Sequence, residues 1–385
     1  MERGTRDEPD YRAQIAAELL GTTTQPLASY FRVIDALLAR GDAYIVQVEE
    51  PESIDPTPIT HEDILLAASV LRDGPELTLD QACKKLGTKL GKKQSAQQLK
   101  LRILASTRAM LMLDCAGQGD SFSWQPEERF VDFVSKCLPK SLGVSASVKR
   151  AMEKQKAMKA WKLKARFHLS FRGTDNLSRH LHLDPLHPDG PTLYIFHYTA
   201  FLKAHLNRLQ ERGPKKEDDL LSCLQSGCLP ARLIVETLHS ILAILFNFDD
   251  DKSTSILERL IAKAGFDEDC TNSDGYKTSD DAKDLEYLYW GERLAVLHDF
   301  VLNPPPRNKF ERWMQWQKSE SNAFAVALAA LLITIVVGIL SLGLAAFQAW
   351  VAWKAWKDPV STNGGDTITM SVQELIDLVQ QLQGR

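Results

Sequence analysis

Between Glu320 and Lys354 the chain carries no charged residue, and Ala323 to Phe347 reads AFAVALAALLITIVVGILSLGLAAF. As a helix this stretch rises about 37 Å, more than the roughly 30 Å of a bilayer's hydrocarbon core. Apolar side chains on every face of so long a helix need either lipid or a complete protein shell around them. Trp313 and Trp316 precede the run, and Trp350, Trp353 and Trp356 follow it, where amphipathic rings prefer the two membrane interfaces. The pattern predicts a transmembrane helix over residues 321–350, with Ala323, Leu331, Ile335, Gly338, Leu342 and Phe347 as anchor residues in the lipid bilayer.

Basic residues near each end suggest the orientation, since Lys and Arg resist translocation more than acids do. Four of them (Arg307, Lys309, Arg312, Lys318) stand before the run, and two (Lys354, Lys357) stand close after it. The opening MERGTRDEPD contains no apolar signal-peptide segment. The expectation is a single-pass protein, targeted by its C-terminal helix, with a large cytosolic N-terminal body.

Outside the anchor the composition is ordinary. Among 385 residues, 46 are Lys or Arg and 50 Asp or Glu, with 44% hydrophobic and 25% charged, which excludes collagen-like, wholly disordered and multi-span classes. A net charge of −4 carries no global nucleic-acid signature. The six cysteines are scattered, and four residues separate Cys223 from Cys228, so neither a redox CxxC pair nor a zinc pair is present and reduced thiols are expected.

The fold class read from the pattern is mainly α: two helical soluble units followed by one transmembrane helix. The divisions fall at an N-terminal tail (1–25), a helical domain (26–140), a mainly helical domain (141–302), a juxtamembrane linker (303–320), the span (321–350) and a tail (351–385). In the first domain, Thr60 with Asp63 forms a capping pair ahead of Ile64, Leu65, Ala68 and Leu71. A second helix begins near Thr78 or Asp80 and stops at Gly87. A third runs from Ser95 to Met110, and Leu111–Cys115 with Ser121–Trp124 then flank a Gly-rich turn. Three helices and a hairpin make a winged-helix-like order. Lys100, Arg102 and Arg108 on the third helix, with Lys89, Lys92 and Lys93 before it, form a basic footprint for a nucleic-acid-binding reading. The overall charge and the membrane tether disfavour it.

Residues Lys136 to Arg166 hold ten basic residues and one acid, Glu153, with Ala151, Met158, Trp161 and Ala165 on one helical face. Lys149 to Arg166 therefore reads as a basic amphipathic helix for an anionic membrane surface or an acidic protein partner. Asp249 to Glu286 holds twelve acids against five basic residues, so mutual neutralisation within the fold is the competing reading. Strands are expected at Phe167–Phe171 and Thr192–Phe196. Helices follow at His197–Gln210, Pro230–Phe248, Ser253–Ala264 and Asp281–Val301, and Pro304 to Pro306 end the fold. In the tail, Ser371 and Glu374 form a capping box opening a stripe of Val372, Leu375, Ile376, Val379 and Leu382 that offers a surface for homo-oligomerisation or membrane docking.

Six of nine histidines fall between His168 and His205. His180-Leu-His182-Leu-Asp184 alternates as metal ligands on one side of an extended strand would, with His187 nearby, and it resembles the start of the HxHxDH motif of metallo-β-lactamase-type hydrolases. Pro185 stands where that family has its next histidine, and the strand-rich surroundings are missing. These four residues are the metal candidates of an alternative reading, a membrane-tethered enzyme of hydrolytic type. Gly87-Thr-Lys-Leu-Gly91-Lys92 lacks the spacing of a phosphate-binding loop, and neither GxSxG nor HExxH occurs, so no cofactor and no catalytic residue is indicated.

Three stretches carry a resemblance: Phe167–Leu206, Tyr289–Arg307 (YWGERLAVLHDFVLNPPPR) and Ala345–Val360. They resemble uncharacterised proteins of filamentous ascomycete fungi that end in a hydrophobic helix and a short tail. The resemblance implies a fungal source and a C-terminal anchor, and it brings no activity, cofactor or site residue. The function read from the sequence is that of an anchored interaction or scaffold protein rather than an enzyme.

Overall fold

Short-range capping starts the helices of the N-terminal third. In the computed structural model, which describes residues 11–22, 27–40, 58–91, 94–117, 122–211, 219–272, 285–304 and 323–357, helices α1 (Tyr11–Ile15, prolonged by a wider turn to Leu20) and α2 (Ala28–Arg40) lead into α3 (His61–Asp73), α4 (Leu79–Leu90) and α5 (Ala96–Leu111). Thr60, Thr78 and Ser95 each accept from the amide three residues on, and Asp63, Gln81 and Gln98 return a bond to the cap amide, giving three complete capping boxes. Helix α4 runs through Gly87, where the sequence pattern stops it, and closes at Gly91 with φ +64°. Gly87 serves close packing instead: a Cβ there would stand 3.1 Å from a methyl of Leu99 on α5.

Of the hairpin expected after the third helix, only part falls within the described residues. Thr78, just before α4, pairs antiparallel with Arg129, and the expected hairpin is a single bridge, Ala116 to Ser123, among the described residues. Every residue of α5 from Leu101 to Leu111 is buried.

Helix α6 (Phe130–Cys137) is followed by the basic segment, which is two helices rather than one: α7 (Ala146–Glu153) and α8 (Ala160–Phe167). The buried positions explain the break. Val148, Ala151 and Met158 share one helical stripe, whereas on a continuous helix Leu163 and Ala160 would lie about 60° and 120° beyond its Val148 edge, so interrupting it lets both sets reach the core. Trp161 is half-buried and Ala165 is exposed, so the single face expected from the sequence is split.

His168, with φ 51°, closes α8 and delays the next strand. Strands β1 (Ser170–Thr174), β2 (Leu183–Asp184) and β3 (Thr192–Phe196) form a sheet in the order β1-β3-β2, with β1 parallel and β2 antiparallel to β3. Then come α9 (Thr199–Glu211), α10 (Leu220–Gln225), α11 (Ala231–His239, continued by a wider turn to Leu245), α12 (Asp251–Ala264), α13 (Gly291–Leu302) and finally α14 (Ala323–Lys357).

Backbone contacts divide the chain into two compact units, Met1–Pro305 and Pro306–Arg385. Within the first, packing runs straight across residue 140, where the sequence pattern places a boundary. Leu177 N–H donates to the Met112 carbonyl at 2.8 Å, Arg108 pairs with Asp175 at 2.6 Å, and one cluster of buried side chains extends from Ile15 to Phe300. Helix α11 lies inside that cluster, with Leu233, Ile234, Leu238 and Ile241 all buried.

Candidate functional site

Helix α14 is one continuous helix of 35 residues, and Ala327–Lys357 is long and apolar enough to cross a membrane, with a mean hydropathy of 2.7 in its most apolar window and none of that window buried in protein. Of the anchor residues expected from the sequence, Leu331, Ile335, Leu342 and Phe347 are exposed, Ala323 opens the helix and Gly338 lies mid-way. Thr334, a polar residue of this helix, donates its hydroxyl to the Ala330 carbonyl at 2.8 Å, so its proton is satisfied within the helix. The helix continues past the expected end at 350. Trp350, Trp353 and Trp356 are helical and exposed, and Lys354 and Lys357 lie 5.3 and 4.8 Å from the Trp350 and Trp353 ring centres. Trp313, Trp316 and the tail stripe after Ser371 lie outside the described residues.

The histidine motif does not assemble. Leu181 adopts φ 57°, a left-handed conformation that breaks the alternation needed to aim His180 and His182 to one side. His180 is fully buried, His182 packs its ring near Tyr194, Asp184 caps a turn by accepting from Leu186 N–H, and His187 accepts from Asp189 N–H. Among the described residues no group of three or more His, Cys, Asp or Glu is placed to hold a metal ion.

His180 meets instead a serine that the sequence pattern does not single out. Its Nε2 lies 2.7 Å from Ser240 Oγ, which superficially resembles a nucleophile and its base. The hydrogen bonds assign the protons otherwise. His180 Nδ1 accepts from Phe196 N–H, so Nε2 carries the hydrogen, and Ser240 donates its own proton to the Thr237 carbonyl at 2.7 Å. The imidazole thus donates to the serine and has no lone pair free to activate it. Burial and the nearby Arg293 hold His180 well below the ordinary histidine range, in the neutral form this arrangement requires.

Ser240 belongs to a row of buried polar residues on α11 that fastens α13. The Glu236 carboxylate, fully buried, accepts from the amides of Leu288 (2.6 Å), Tyr289 (2.9 Å) and Trp290 (3.0 Å). Trp290 Nε1 donates to Thr237 Oγ1 at 2.7 Å, and His239 Nδ1 lies 2.7 Å from the Tyr287 hydroxyl. With those amides taken by a carboxylate, α13 begins at Gly291, later than its apolar periodicity suggests. Burial pushes the Glu236 carboxyl upward, against the pull of the three amides and of Arg232. Its position within an otherwise apolar stretch was the available signal, because a buried acid requires donors.

The two basic regions differ in how far the fold uses their charge. On α5, Arg102 pairs with Asp63 at 3.1 Å and Arg108 with Asp175 at 2.6 Å, all largely buried, so two of the three α5 cations of the six-residue nucleic-acid footprint are internal; Lys92 and Lys93 lie outside the described residues. Around α7 and α8, Lys159 pairs with Asp250 and Lys162 donates to the Lys156 carbonyl, while Trp161 lies beside Lys162 and Lys252. Lys149, Arg150, Lys154, Lys156 and Lys164 are exposed, and no acid among the described residues lies within ion-pair distance of them. Helix α7 packs on α13, with Val148 over Gly291 and Ser145 Oγ donating to Glu292 at 2.9 Å, and Phe167 meets Phe300 edge-on. The exposed cations are thus carried by the segment that braces α13.

Comparison with known proteins adds no kinship: no family model, curated protein or solved structure matches the chain.

Proposed function

We propose that this chain is a single-pass membrane-anchored interaction protein, of the kind its sequence resembles in filamentous fungi, whose body faces the cytosol and rests its α7–α8 cations on an anionic bilayer surface. The observation that carries the reading is α14, whose most apolar window is uncovered by protein and which is long and apolar enough to cross a bilayer. The greater number of basic residues before it supports the cytosolic orientation. Tethering supports the surface contact. An anchor on the same chain raises the local concentration of the exposed cations at a bilayer surface, where each Lys or Arg contributes about 1 kcal/mol.

Protease protection on membranes carrying the chain with a different tag at each end tests the topology, with an alkaline-carbonate wash in parallel. The expected result is a digested N-terminal tag, a protected C-terminal tag and resistance to the wash. Release by carbonate overturns the anchor, and a protected N-terminal tag overturns the orientation. Hydrogen exchange of the full chain in nanodiscs tests the surface contact: amides of 146–167 should slow when phosphatidylserine replaces neutral lipid, and unchanged rates would remove it.

A further inference from the structure

Helices α4 and α5 and the turn at Pro126 line a groove of about 570 Å³. Its floor is apolar, formed by Leu79, Cys83, Leu99 and Pro126, and Lys84 and Lys100 stand exposed on its rim. In a winged-helix order this is the side a DNA-reading third helix would present, but α5 exposes only its first turn before Leu101 to Leu111 are buried. Base reading needs a polar face along the helix, and this surface offers an apolar trough between two cations.

We propose that this groove docks a short amphipathic helix of a partner protein, with apolar anchors at i, i+3 or i+4 and i+7 seated against Leu79, Cys83, Leu99 and Pro126 and carboxylates paired with Lys84 and Lys100. The volume falls within the roughly 300–1,000 Å³ of sites that enclose compact apolar ligands, and a trough walled by two helices suits a helical insert better than a strand, which needs a sheet edge. The rim selects the charge. Among the described residues Asp80 is the only acid on the lining, against two lysines, so an acidic insert is attracted and a basic one disfavoured. This deepens the reading of the chain as an interaction module and is independent of its topology, so the experiments on the anchor and on the groove fail separately.

Cys83 supplies a reporter, because it is half-exposed while the other five cysteines are buried. The full chain in nanodiscs is panned against a phage-displayed library of 12-residue peptides, and the enriched peptides are synthesised. The expected result is convergent sequences with helical apolar spacing and excess Asp or Glu. Those peptides should slow alkylation of Cys83 by iodoacetamide and bind the Lys84→Glu/Lys100→Glu protein at least about tenfold more weakly. Both lysines are exposed, so that variant keeps its core, and its melting temperature serves as the check. Failure to converge, convergence on basic peptides, unchanged Cys83 alkylation or equal affinity for the variant would each overturn the proposal.

Discussion

Replacing Glu236 by glutamine tests whether the start of α13 is held by an ionised carboxylate. In the native chain both oxygens are used, Oε1 by Leu288 N–H and Oε2 by the amides of Tyr289 and Trp290. Glutamine keeps one oxygen, so in its better orientation it still accepts from Tyr289 and Trp290 and turns an NH2 group toward the Leu288 amide. One charge-assisted hydrogen bond, about 1.5–3 kcal/mol, is lost, and a buried amide is left facing another donor. Removing the charge from the N-terminal end of α13 costs about another 0.3–1 kcal/mol. The sum is about 3 kcal/mol, or a melting temperature lower by roughly 6 °C for a body of this size. Thermal unfolding of the full chain in detergent can be followed by tryptophan fluorescence, since Trp290 is buried at the site. Hydrogen exchange should accelerate most at residues 288–290. Glutamine is isosteric with a protonated glutamic acid, and burial does push this carboxyl upward. A loss under about 1 kcal/mol with unchanged exchange at 288–290 would therefore show that the carboxyl is neutral in the fold and refute the anionic cap.

Three further outcomes follow from the packing. Burial lowers His239 to about 4, below its unfolded value near 6.5, so the folded chain excludes a proton that the unfolded chain binds between those values. Its contribution is complete above pH of about 6.5 and declines by about 1.4 kcal/mol per pH unit down to about 4, so His239→Gln should flatten the acid limb of a stability–pH curve by that slope; an unchanged slope would refute it. Gly291→Ala would place a Cβ 2.9 Å from Val148 Cγ1 and should cost about 1–3 kcal/mol, relieved in the Gly291→Ala/Val148→Ala double variant; additive melting shifts in the double-mutant cycle would count against the contact. Val336→Arg/Ile339→Arg puts two cations in the centre of the span at about 2.5–3.5 kcal/mol each, and carbonate should then extract the chain; retention in the membrane pellet would argue against a bilayer-spanning helix.

What the sequence by itself determined is local. Thr60, Thr78 and Ser95 cap their helices with partners three residues away, Thr192–Phe196 is a strand at its expected bounds, and the apolar run of α14 needs no partner from the fold to be recognised. The early stop at Gly87 failed because the side chain of Leu99, on the next helix, rewards the absence of a Cβ there. The tertiary structure decided every assignment whose partner lies far along the chain. Arg108 becomes an internal cation through Asp175, and the basic segment breaks because its apolar residues must meet two different parts of the core. His180 loses its metal-ligand appearance through the left-handed Leu181 and through Ser240, sixty residues away. Glu236 displaces the start of α13 from across the fold. The physical reason is common to these cases. Caps and helical periodicity are satisfied within one or two turns of backbone, whereas a buried charge or imidazole takes its chemical role from whichever donor or acceptor the packed chain brings beside it.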